Sequence, residues 1–161
     1  MSYIRFAAMI AVSTVVMLGL MYLNTYAIEH VRFSETRAFM ALVMGATMAV
    51  IMLLFMLKMY PDRRVNVAIL AGAALVFAGA LTLVRGQQTV GDVSYMKAMI
   101  PHHSIAIMTS ERAQIRDPRV RKLADEIIEA QRREIDEMNG LIADLERNPP
   151  PRGAPVLAPS T

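Results

Sequence analysis

Three apolar runs dominate the first half of the chain: about Ile4 to Leu23, Ala38 to Leu57 and Val65 to Val84. Each is close to the roughly 20 residues that a helix needs to cross a hydrocarbon core. Apart from Arg5 at the edge of the first, the runs carry no Asp, Glu, Lys or Arg, and the charges collect in the gaps. With 55% hydrophobic and 19% charged residues in 161, the chain is also more apolar than a soluble domain requires. Three such runs in a row predict three transmembrane helices. A cleaved signal peptide is the competing reading of the first run, because Met1 to Phe6 holds one Arg ahead of it. The run is long for that purpose and TYAIEH after it is a poor cleavage site, so the segment is expected to remain.

Orientation follows from the basic residues. KMYPDRR, between the second and third runs, holds Lys58, Arg63 and Arg64, whereas the first gap mixes Arg32 and Arg37 with Glu29 and Glu35. The positive-inside rule places the second gap in the cytoplasm. Met1 is then inside, and the first gap and everything after Arg85 are outside, as expected of a multi-pass protein of a plasma or inner membrane.

Several function classes find no support. The net charge of +3 and pI near 9.5 are not organised into a basic stripe interleaved with aromatics, so nucleic acid is not an expected partner. No Gly-rich phosphate loop, G-x-S-x-G or H-E-x-x-H is present. Ser104, Thr109 and Ser110 have no base arranged around them and read as surface or packing residues. The chain has no cysteine, which leaves the redox compartment unread and removes thiolate as a metal ligand.

The sequence divides into a membrane domain (1–85), a linker (86–93), a helical hairpin (94–146) and a Pro-rich tail (147–161). An all-α fold follows: three transmembrane helices and then an exported antiparallel hairpin. Asp117 is a good N-cap and Pro118 suits a first helical turn, so the second hairpin helix is expected to start there. Its apolar residues Val120, Ala124, Ile127, Met138, Leu141 and Leu145 keep a 3-4 spacing, and continuing that spacing lands on Gln131 and Glu134. On the first hairpin helix, Met96, Met99, His103, Ala106 and Ser110 share one sector roughly 80° wide, with His102 at its edge and Met108 pointing elsewhere. Pairing residues equally distant from the turn sets His103 opposite Gln131 and Glu134, and Met96 and Met99 opposite Met138.

Two explanations compete for these polar gaps. Buried carboxylate and imidazole are costly unless paired or metal-bound. A His–Gln–Glu cluster that fixes the assembly of a helical bundle is one reading. The other is a metal site, and thioether with imidazole but no thiolate points to copper, with Cu(I) favoured and Cu(II) possible. Pro101 cannot donate to the carbonyl four residues back, so the helix should kink or start afresh beside His102.

The stretch MKAMIPHHSIAIM followed by LADEIIEAQRREIDEM resembles the domain of unknown function 305 family, over roughly residues 91 to 146. The family pattern has a Met-rich segment, an HH pair, a downstream Met and a helix of the form LA-x-x-I-x-x-x-Q-x-x-E-I-x-x-M, and Asp92 matches an acidic residue common before the methionines. The resemblance implies a ferritin-like helical fold, frequent export and an association with copper tolerance. It carries over Met99, His102, His103 and Met108, with Gln131, Glu134 and Met138, as candidate binding positions, to which the sector adds Met96. Many family members contain a second helical pair that this chain lacks. A second copy is expected to supply it, so that a homodimer completes a four-helix bundle. The missing pair of E-x-x-H motifs argues against a di-iron oxidase, and the expected role is a binding module, not an enzyme.

Met40, Met44, Met48, Met52 and Met56 form a further stripe in the second apolar run. They read as packing residues, a copper path being the alternative. His30 reads as a solvated loop residue.

Overall fold

The computed structural model describes residues 2–151 and 153–158, so Met1 and part of the Pro-rich tail lie outside the described residues. Among these the chain is all helical: α1 (Tyr3–Leu20), α2 (Glu35–Phe55), α3 (Arg63–Gly86), α4 (Asp92–Arg112) and α5 (Pro118–Arg147), with short 3-10 turns at Ile28–His30 and Leu57–Met59. The first three are long and apolar enough to cross a membrane. Local capping explains where they begin. Ser34 accepts the Arg37 N–H and starts α2 three residues ahead of the apolar run, and Asp62 accepts the Arg64 and Val65 N–H groups to start α3. Asp117 does the same for α5 through Arg119, whose guanidinium also holds the Asp117 carboxyl below its ordinary range. α3 ends where Gln87 turns into the left-handed region at φ 50°. α4 runs through the buried Pro101 without starting afresh.

α2 is the central apolar helix, with α1 and α3 packed on it. Its buried line is Ala41, Gly45, Ala46, Ala49 and Leu53. Small side chains let helices approach closely in the absence of a hydrophobic driving force, and Thr14 of α1 sits directly over Gly45, where a Cβ would collide with it. At the end where α1 starts, Tyr60 packs against Tyr3 and edge-on to Phe6, with ring centroids 5.0 and 5.4 Å apart. The Tyr3 hydroxyl accepts the Asp62 N–H (3.1 Å), and Asn66 donates to the Tyr60 carbonyl (2.8 Å). The methionine stripe is half-buried throughout, and Met52 and Met56 fill in against the Phe6, Leu53 and Tyr60 cluster.

At the other end, the segment joining α1 to α2 docks on α4. Ser104 is fully buried, accepts the Tyr26 N–H at 2.8 Å and lies 2.9 Å from His30 Nδ1. Ser94 donates to Glu35 at 3.0 Å. The readings of His30 as a solvated residue and of Ser104 as ordinary packing are therefore corrected. α4 runs back over residues brought close only by the tertiary fold, and their polar groups need partners once water is excluded. The hairpin and the 21–34 segment thus share one end of the apolar helices.

Gly45→Leu should force α1 off α2 or shift it, at about 1–3 kcal/mol. A thermal melt of the detergent-solubilised chain is expected to show a lowered midpoint, and an unchanged one would contradict this packing.

Candidate functional site

α4 and α5 run antiparallel. Lys97, near the start of α4, pairs with Glu146 near the end of α5 at 2.6 Å, and His103 Nε2 meets Glu134 Oε2 at 2.8 Å. The hairpin's own core is Met96, Ile100 and Ile107 against Ile135 and Ile142, with Ile128, Met138 and Leu145 partly enclosed. That core keeps Ala124, Met138 and Leu145 of the expected seam but turns Val120 and Leu141 outward. On α5 the line facing α4 is Ala124, Ile128, Ile135 and Ile142, while Val120 and Leu141 are exposed. α5 has two apolar lines, and the spacing of either satisfies a helix interface, so periodicity does not choose between them.

The rotation places the polar and sulfur-bearing residues at the edge of the hairpin, lining a groove of ≈ 420 Å³. Met96, Met99, His103, Glu134 and Met138 meet there. Asp92, Tyr95, Glu137 and Leu141 border it as well. Tyr95 and Glu137 are groove residues that the sequence reading did not single out, although they extend the groove at helical spacing, four residues before Met99 and three after Glu134. His102 is exposed and its ring lies 6.0 Å from that of His103, edge-on. Gln131 and Met108 are half-buried and do not line the groove. The expectation that Gln131 and Glu134 face the partner helix away from water is corrected for Glu134: its side chain is 43% exposed, against 14% for His103.

The chemistry of the groove centres on the two nitrogens of His103. Nδ1 lies 2.9 Å from the Met99 carbonyl, four residues back on the same helix. A carbonyl only accepts, so Nδ1 carries the proton of that hydrogen bond. Nε2 is then a second N–H donor to Glu134 when the ring is an imidazolium, and a bare lone pair when it is neutral. Fixing one imidazole nitrogen on a backbone carbonyl is how metal-ligating histidines hold their tautomer and ring orientation. Buried Met96 and half-buried Met99 and Met138 bring thioether sulfur to the same groove. Among the described residues no group of three or more His, Cys, Asp or Glu side chains is arranged to hold a metal ion. The donors that gather here are one imidazole, the thioethers of Met96, Met99 and Met138, and the carboxylates of Asp92, Glu134 and Glu137; the thioethers are soft donors of the kind Cu(I) takes, and the carboxylates are hard ones. A second groove of ≈ 460 Å³ near the turn, lined by Glu111, Arg121, Asp125, Glu129 and Arg132 among others, offers no imidazole or thioether.

With Glu134 this exposed, the His103–Glu134 pair should contribute little to stability. A double-mutant cycle of His103→Ala and Glu134→Ala, read by unfolding of the detergent-solubilised chain, is expected to give a coupling of about 1 kcal/mol or less. A coupling of about 3 kcal/mol would indicate a desolvated pair.

A curated relative, an uncharacterized protein of Acanthamoeba polyphaga mimivirus, is 43% identical over 61 residues, which is 37% of this chain. The matched stretch spans 40% of that relative's length. No solved structure matches the chain. Residues 92–156, which hold the hairpin and the start of the tail, match the family described as Domain of unknown function (DUF305), in agreement with the resemblance of the HH and Q-x-x-E-I-x-x-M motifs.

Proposed function

We propose that the hairpin is a copper-binding module anchored to a membrane by α1–α3, serving copper sequestration, delivery or tolerance. The observation that carries this reading is the meeting of Met96, Met99, His103 and Met138 in one open groove, with the His103 ring tied through Nδ1 to the Met99 carbonyl and Nε2 turned to Glu134. These residues would hold the ion, and Cu(I) is the favoured state because thioether sulfur is a soft donor. Glu134 would balance charge beside the imidazole and compete with the metal for Nε2. His102, Met108 and Gln131 stand outside the groove and enter as neighbours. The basic residues Lys58, Arg63 and Arg64 favour a cytoplasmic second gap, which puts the groove on the outer face of a plasma or inner membrane.

A structural reading has its own support in the 2.8 Å His103–Glu134 contact, which can specify helix register without any metal. The two readings separate in a titration of the full chain in detergent with Cu(I), and with Zn(II) as a control. Copper binding predicts that His103→Ala combined with Met99→Leu weakens Cu(I) affinity about tenfold or more with helicity unchanged, and that His102→Ala has a smaller effect. Equal affinity in the wild type and the combined variant, or a variant that unfolds whether or not metal is added, supports the structural role.

A further inference from the structure

The rotation of the hairpin core leaves one apolar line of α5 uncovered. Val120, Leu123 and Leu141 are 50%, 56% and 48% exposed, and Ile127 and Glu134 between them are half-buried. At about 100° per residue these five positions fall within roughly 60° of one another, and their centre lies roughly 90° around the helix from the Ala124, Ile135 and Ile142 line that packs on α4. They belong to the hairpin and not to the apolar helices, so lipid crossing does not explain their exposure.

We propose that this face is covered by the same face of a second copy, the two α5 helices meeting antiparallel about a two-fold axis between Ala130 and Gln131. Reversing the line about that point exchanges Val120 with Leu141 and Ile127 with Glu134 of the other copy, and sends Leu123 to Met138, which lies in the same sector of the helix. On the flank away from α4 the charges interleave in this register: Lys122 and Glu126 straddle the other copy's Glu137, each about 3 Å from it along the axis, and Glu126 lies about 3 Å along the axis from the other copy's Arg133. A parallel pairing would instead set Glu134 on Glu134 and Arg133 on Arg133. A two-fold contact uses one patch twice and repeats each of these pairs.

Two copies in one membrane share an axis along the membrane normal, so this pairing lays α5 across the membrane surface. The structure supports that attitude. α4 is bonded at Ser94 to Glu35 and at Ser104 to Tyr26 and His30, so about 15 Å of its length follows the segment that joins the ends of α1 and α2. The pairing also closes the groove, because Glu134, Met138 and Leu141 belong both to its lining and to the contact. The inference stands apart from copper binding, since the contact requires no metal.

The chain lacks cysteine, so single substitutions can read the register directly. The full chain, reconstituted in lipid vesicles, is treated with a short thiol-specific cross-linker. Ala130→Cys is expected to give a cross-linked dimer. Val120→Cys alone and Leu141→Cys alone should not, since each thiol lies about 30 Å from its counterpart, whereas vesicles holding both variants should give the mixed dimer. Self-linking of Val120→Cys would mean a parallel contact and overturn the proposal. No dimer from Ala130→Cys with helicity retained would overturn it too, and labelling of Leu123→Cys by a lipid-soluble reagent in that case would assign the face to the bilayer.

Discussion

His103 lies between two acceptors of different character. The Met99 carbonyl keeps its lone pairs under all conditions, so the 2.9 Å contact to Nδ1 holds the ring at a fixed tilt. The Glu134 carboxylate is a conditional partner, since its 2.8 Å contact with Nε2 exists as a hydrogen bond only while a proton lies between them. The ring is therefore held firmly at one nitrogen and exchangeably at the other. The proposed copper reading rests on that asymmetry: a bound cation would take the place of the proton at Nε2 while Nδ1 stays on its carbonyl.

The rest of the molecule can be traced outward from that ring. It sits on α4, and the buried Ser104 next to it anchors the helix to Tyr26 and His30. Those residues belong to the segment that joins α1 to α2, and α2 is the helix on which both other apolar helices pack through small side chains. The groove is thus coupled mechanically to the apolar bundle through one serine hydroxyl and the carboxylate of Glu35. α5 supplies the opposite wall, and its position is set by Asp117 and Pro118 at its start and by Ile135 and Ile142, which pack with Ile100 and Ile107 of α4.

Much of this was legible in the residues, for reasons that differ from element to element. The apolar helices follow from uncharged runs of membrane length, and the start of α5 from Asp117 and Pro118. The His103–Glu134 contact follows from equal distance to the turn, because an antiparallel hairpin maps such residues onto each other. The rotation of the hairpin was not legible. Val120, Leu123, Ile127 and Leu141 form as good an apolar line as Ala124, Ile128, Ile135 and Ile142, and only tertiary packing decides which one faces α4. Ile135 and Ile142 were missed as core for that reason. The partnership of Ser104 with Tyr26 and His30 was equally hidden, since it joins residues 78 and 74 positions apart with no local pattern to announce it.

The central claim is that sulfur and imidazole act together in the groove, and X-ray absorption at the copper edge of the Cu(I)-loaded full chain tests it most directly. The account predicts a first shell of mixed sulfur and nitrogen, with the nitrogen contribution lost in His103→Ala and the sulfur contribution reduced in Met99→Leu. A shell of nitrogen and oxygen alone, unchanged by either substitution, would contradict it and leave the methionines as packing residues.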